Sequence, residues 1–268
     1  ASSVDIGGGR IEAINGAWAA IRAYGEFVSE NTAVVNVNVI KQTDAEGNVL
    51  TDPTDSRVEL IAGADDYKTT IIGDFVTNGG MGTRGHISVG LNGEDSYWNG
   101  NYGDTRGYGV TQGMEGQVSL FMKNGANWTG FGDGQMNVTM EGEGTTWYGF
   151  NLCDVKRFTG IYSEGEYAEP YDYYAGGMSL NLLDGAMWIN AISTNQKNAD
   201  GTQADSLIYN FNGVNGFIDM TGDKTFLAIN DANHADGSNG ISDKNTSIQE
   251  YGDKYETGNM VITNYSGD

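Results

Sequence analysis

The sequence predicts an all-β parallel solenoid with inserted side loops, and three observations lead there. Glycine is abundant at 41 residues, against only 2 prolines in a chain of 268. Short segments alternate apolar and polar residues with period two, the pattern of a strand with one buried face. Those segments recur, each running through a glycine-bearing turn to a large aromatic residue. High glycine without a G-X-Y period excludes collagen and fits many short strands joined by tight turns. Runs with helical periodicity are scarce.

Taken in chain order, Ile11–Ala17 leads to Trp18, although Arg10–Val28 is alanine-rich enough to admit an amphipathic helix instead. Val34–Val39 alternates as a strand should, and Asp44–Asp55 reads as a loop. His86–Gly93 leads to Trp98. The clearest copies follow: Gly116–Met122 with Lys123-Asn124-Gly125-Ala126-Asn127-Trp128, then Gly134–Met140 leading to Trp147, then Gly177–Leu182 leading through Asp184-Gly185 to Trp188. Phe217–Thr225 leads to Phe226, with Phe in the Trp place, and Met260–Asn264 opens another copy. Each Trp is thus expected at one point of one repeating unit. A single such strand cannot shield its own apolar face, but equivalent strands stacked about 4.8 Å apart bury a continuous column.

The repeat divides the chain into residues 1–84, less regular coils or a cap, and 85–268, a more regular solenoid. Between copies lie polar, Gly-rich stretches that read as loops thrown out from the corners, near 156–176, 195–204 and 230–244.

A formal charge of −22 repels phosphate backbones and anionic membrane surfaces, so nucleic-acid binding and direct membrane contact by this segment are not expected. It also opposes a polyuronate substrate. Cys153 is the one cysteine, which excludes an internal disulfide and a CxxC metal or redox motif. No apolar stretch reaches the roughly 20 residues of a membrane helix. The chain opens on Ala1-Ser2-Ser3 and stops inside a strand-like pattern, as an excised piece of a longer protein would.

Catalytic constellations are not apparent. His86 and His234 are the two histidines, and neither is tied to a nucleophile motif. Asp65-Asp66 resembles the tandem carboxylates of solenoid polysaccharide hydrolases, but the accompanying Asn-x-Asp, Gly-His-Gly and Arg-x-Lys motifs are missing, and a solvated turn explains the pair. No catalytic residue, no metal ligand set and no cofactor is assigned. Calcium has oxygen donors in Asp44–Asn48 and Asp231–Asp243, yet neither has EF-hand spacing or a nonapeptide repeat, so no motif supports it. Tyr162, Tyr167, Tyr171, Tyr173 and Tyr174 crowd into the longest insertion among Glu164, Glu166, Glu169 and Asp172. Two roles are open to them: stacking on a sugar or protein partner, or packing back onto the side of the rod.

The run Asn124-Gly125-Ala126-Asn127-Trp128-Thr129-Gly130, with Asp184-Gly185-Ala186-Met187-Trp188, resembles the N-G-A-x-W-x-G repeat of bacterial autotransporter passenger domains. The resemblance covers about residues 85–230. It implies a right-handed parallel β-helix on the surface of a Gram-negative-type bacterium, or secreted from it, anchored through an outer-membrane barrel that is not in this chain. It also implies adhesion to a host or bacterial surface protein or glycan, self-association, or biofilm formation. No serine-protease signature is present, which favours an adhesin. A polysaccharide-active β-helix enzyme and a passive stalk displaying another domain are the alternative functions.

Overall fold

In the computed structural model, residues 2–13, 19–24, 33–41, 46, 60–62, 68–78, 85–104, 116–151, 156–164, 167–175, 177–191, 205–220, 227–229, 248–250 and 260–267 are described. All regular structure among them is β. The chain makes repeated passages through the same sheets. The first passage gives β1 (Ser2–Ile6), β2 (Gly9–Glu12) and β3 (Ile21–Tyr24). The second gives β4 (Ala33–Val37), a hairpin of β5 (Val39–Lys41) and β6 (Leu60–Ala62), then β7 (Thr69–Ile72) and β8 (Phe75–Asn78). β9 (Gly85–Asn92), β10 (Tyr97–Asn99) and β11 (Tyr102–Asp104) follow, then β12 (Gln117–Lys123), β13 (Asn127–Thr129) and β14 (Gly132–Asp133). After β15 (Gln135–Glu141) and β16 (Thr146–Gly149) comes an antiparallel pair, β17 (Lys156–Glu164) and β18 (Tyr167–Ala175). β19 (Met178–Leu183), β20 (Met187–Asn190), β21 (Ser206–Val214) and β22 (Phe217–Asp219) resume the pattern. A short antiparallel pair, β23 (Leu227–Ile229) with β24 (Ile248–Glu250), precedes the last strand, β25 (Met260–Gly267).

First strands of successive passages form an 8-stranded parallel sheet, second strands a 7-stranded one, and third strands a 4-stranded one. Parallel neighbours need a long crossover between them, and here the other two sheets supply it. In the 8-stranded sheet, Val37, Val89, Leu120, Val138, Leu180 and Phe211 share one inward column. Strands of parallel sheets commonly read as continuous apolar runs because both faces are covered. These alternate, and from β15 onward their outer face meets water.

The 7-stranded sheet holds the aromatic column. Trp98, Trp128, Trp147 and Trp188 are register partners on adjacent strands and all are fully buried. Their rings lie 4.9, 4.7 and 4.9 Å apart, within 9° of parallel. That spacing is the strand spacing itself, so the backbone ladder dictates the offset stacking. Each indole N–H donates to a glycine carbonyl one passage earlier: Trp98 to Gly73, Trp128 to Gly100, Trp147 to Gly130 and Trp188 to Gly149, at 2.9–3.0 Å. Three of those acceptors stand two residues after the preceding Trp, which explains the W-x-G spacing. A Cβ on Gly149 would lie 1.7 Å from the Gly130 carbonyl oxygen and 2.7 Å from Trp147 Nε1, so the site excludes any side chain.

Two copies read from the sequence are out of frame. Ile11, paired with Ile71, holds the column position in the first passage, and Trp18, expected there, lies outside the described residues. Ile218 pairs with Trp188, so Phe217 belongs to the strand after the corner and Asn215-Gly216 is that corner. Phe226, expected in the Trp place, lies outside the described residues. The helix considered over Arg10–Val28 is replaced, among described residues, by β2 and β3.

The four corners that lead from β9, β12, β15 and β19 into the 7-stranded sheet come in two lengths. Asn124 and Gly125 (φ 56° and 86°), like Asp184 and Gly185 (φ 50° and 92°), form tight turns with two consecutive left-handed residues. These turns are closed by Ala126 N–H to Lys123 and by Ala186 N–H to Leu183. Asn and Asp tolerate that conformation better than other side-chain-bearing residues. Where the corner is one residue longer, a hydroxyl replaces alanine: Ser96 Oγ donates to Asn92 O at 2.7 Å, and Thr145 Oγ1 to Glu141 O at 2.9 Å. The hydroxyl occupies a carbonyl that the longer turn leaves behind.

Candidate binding surfaces

The outer face of the 8-stranded sheet is built by the residues between the core positions. Register aligns Ser88, Ser119, Asn137, Ser179, Asn210 and Asn264 in one row. A second row contains Gly90, Phe121, Thr139, Asn181, Asn212 and Ser266. Neither stretch contains a charged residue. Side chains link along the rows: Asn264 Nδ2 donates to Asn210 Oδ1 at 3.0 Å, and Asn210 Nδ2 to Ser179 Oγ at 3.0 Å. In the second row Asn212 Nδ2 donates to Asn181 Oδ1 at 3.2 Å, and Asn181 Nδ2 to Thr139 Oγ1 at 3.1 Å. Each amide passes its donor one strand back, so the ladders fix the side chains in a lattice of about 4.8 Å by 6.6 Å.

The face is not uniform. The β5–β6 hairpin lies against β9 and β12, and β9 is buried along its whole length, outward positions included. From β15 onward the rows emerge, with Asn137, Asn210, Asn264 and Ser266 exposed. Where the hairpin lies, the second row carries Gly90 and Phe121. Where it is open, that row carries Thr, Asn and Ser.

The five tyrosines singled out in the sequence fall on the β17–β18 ribbon, so the described residues of the segment read as a loop form two antiparallel strands outside the three parallel sheets. Its register pairs Phe158 with Tyr173, Gly160 with Tyr171, Tyr162 with Glu169 and Glu164 with Tyr167 on one face. Arg157 with Tyr174 and Thr159 with Asp172 lie at positions of the other. Four of the five tyrosines thus share a face and Tyr174 does not.

His86 sits in β9, 3% exposed. His234, Cys153, Asp65-Asp66, residues 195–204 and residues 230–244 lie outside the described residues, as do the candidate calcium donors except Glu46. Among the described residues no three His, Cys, Asp or Glu side chains group as metal ligands would, and no helix is long and apolar enough to cross a membrane. The outer rows are the functional candidate that residue-by-residue sequence reading missed. The available signal was that the middle outward positions of the repeated strands are Asn, Ser or Thr, apart from Gly90 and Phe121, while the charged Lys123 and Glu141 stand at the strand ends. Comparison with family models, curated proteins and solved structures found no match to this chain.

Proposed function

We propose that the chain is a segment of a right-handed parallel β-solenoid acting as an adhesin on a bacterial surface, with self-association through the open part of its polar flank. One observation carries this reading: a chain of charge −22 keeps two adjacent rows free of charge from Ser88 to Ser266. Two copies meeting elsewhere bring like charges together, whereas on this flank the repulsion is least. Asn, Ser and Thr both donate and accept, so the surface is complementary to itself, as a two-fold contact requires. Held in ladders, these side chains have already lost most of the rotamer freedom that a contact would otherwise remove.

The test is sedimentation of the purified chain across concentration, beside Asn181→Asp with Asn212→Asp. That double variant keeps the side-chain size, adds two charges to the second row and removes both linking donors. Association that is lost in the variant supports the reading. A chain that stays monomeric at every concentration, or a variant that associates as well as the parent, contradicts it.

A further inference from the structure

The outer face of the 7-stranded sheet differs from the laddered flank in its shape and in the hydrogen bonds it leaves unused. Trp98, Trp128, Trp147 and Trp188 hold the same register position on β10, β13, β16 and β20, and successive indole planes differ by only 4°, 4° and 9°. Ordinary sheets turn by about 20–25° from strand to strand, so this one is close to flat. Its outward residues on β10, β13 and β16 are Tyr97 and Asn99, Asn127 and Thr129, and Thr146 and Tyr148, all partly exposed. We propose that this flat face binds an uncharged, β-linked polysaccharide chain of all-equatorial pyranoses, of the cellulose or chitin kind.

Aromatic placement, spare polar groups and charge select that ligand. Tyr97 and Tyr148 stand at opposite corners of the patch, two strand spacings and one two-residue step apart, or about 12 Å, the span of a short oligosaccharide. Tyrosine rings suit the apolar C–H faces that all-equatorial sugars present, and their hydroxyls suit the sugar rim. Between them lie groups that can still bond hydroxyls. Among the described residues the side chains of Asn99 and Thr129 have no hydrogen-bond partner. Asn127 Nδ2 donates to Gly125 O at 2.9 Å and Thr146 Oγ1 to Gly144 O at 3.0 Å, which leaves Asn127 Oδ1 and the Thr146 hydroxyl oxygen as acceptors. On the 8-stranded flank, by contrast, the amides donate to one another along the rows. From β7 to β20 neither outward row of this sheet holds a charged residue, and Arg10, Glu12 and Asp219 stand at its ends. A neutral chain escapes the repulsion that a charge of −22 imposes on an anionic one. Diequatorial linkage keeps such a chain in a flat extended ribbon that matches a flat face, whereas an α-linked chain of the same glucose units coils away from it. The site lies on a different sheet from the self-associating flank, so either can fail without the other.

The experiment titrates the full chain with cellohexaose and with chitohexaose, beside maltohexaose as the coiled control, by calorimetry. At least one of the two ribbon oligomers is expected to bind about 10-fold tighter than maltohexaose, with little dependence on salt. Tyr97→Ala and Tyr148→Ala should each weaken that binding by about 10-fold, while Tyr148→Phe, which keeps the ring, should stay within about 3-fold of the parent. Asn99→Ala with Thr129→Val should also weaken it by about 10-fold. Tyr209→Ala, at an exposed tyrosine on β21 of the other sheet, should leave affinity unchanged. Near-UV circular dichroism of the buried indoles reports that the sheets are intact in every variant. Binding of neither ribbon oligomer would overturn the proposal. Equal binding of maltohexaose would overturn it too, because flatness would then select nothing. So would affinity that survives both tyrosine-to-alanine changes with the indole signal intact, or that falls steeply with salt.

Discussion

Alanine at Gly149 tests the link between the indole column and the glycine two residues beyond each Trp. The new Cβ would sit 1.7 Å from the Gly130 carbonyl oxygen, a backbone atom that cannot rotate away. The two strands must separate, and two indole bonds cross this contact: Trp147 to Gly130 at 3.0 Å and Trp188 to Gly149 at 2.9 Å. Overpacking costs about 1–3 kcal/mol and each weakened buried hydrogen bond about 1 kcal/mol, so the total is about 3–5 kcal/mol. Gly142→Ala is the control. Its φ of +90° is also left-handed, but the nearest atom to its Cβ is 3.8 Å away, at Asn124 N. It should cost only the conformational penalty of about 1–2 kcal/mol. Urea unfolding followed by tryptophan fluorescence gives both values. A difference between the two variants below about 0.5 kcal/mol would refute the reasoning, because strain common to both would then explain everything.

Further outcomes follow from the same geometry. Thr145→Ala removes the hydroxyl that accepts from Gly125 N–H at 3.0 Å and donates to Glu141 O at 2.9 Å, and should cost about 1–3 kcal/mol in the same unfolding assay. Asn124→Gly should be near neutral while Asn124→Val costs at least about 1–2 kcal/mol, since only the latter is strained at φ 56°. Asp74 is 2% exposed and its Oδ1 accepts from Asn101 N–H at 2.8 Å, a role that Asn101 Oδ1 repeats toward Phe131 N–H at 3.0 Å one passage later. Asp74→Asn should therefore hold the melting temperature close to that of the parent, and Asp74→Ala should lower it by several degrees for about 1–3 kcal/mol lost.

The sequence made the strong repeats legible because their alternation and their turn chemistry agree. Gly116–Trp128, Gly134–Trp147 and Gly177–Trp188 each pair a period-two strand with a glycine corner, and all three fall in frame. The frame fails where the column residue is not aromatic. Ile11 and Ile218 fill the same position as the tryptophans but look like any strand isoleucine, so Trp18 and Phe226 drew the assignment away. The acidic and aromatic composition of 156–176 was visible, but composition does not set the register of β17 against β18, and only that register separates Tyr174 from the other four tyrosines. The outer rows were hidden for another reason: serine and asparagine mark loops as readily as strand surfaces, and only stacking turns them into ladders.

Everything about the flank depends on one register, that of β15 against β19 across the inserted ribbon, with Asn137 opposite Ser179. Cysteine pairing tests it directly, in a background where Cys153 is replaced by serine. Adjacent in-register positions about 4.8 Å apart suit a disulfide, whereas a partner two residues along lies outside the usual range. Asn137→Cys with Ser179→Cys should oxidise readily to a cross-linked monomer that unfolds later in urea, and Asn137→Cys with Asn181→Cys should remain free thiols. Efficient cross-linking of the second pair and not the first would mean that the rows are misaligned and that the uncharged lattice does not exist.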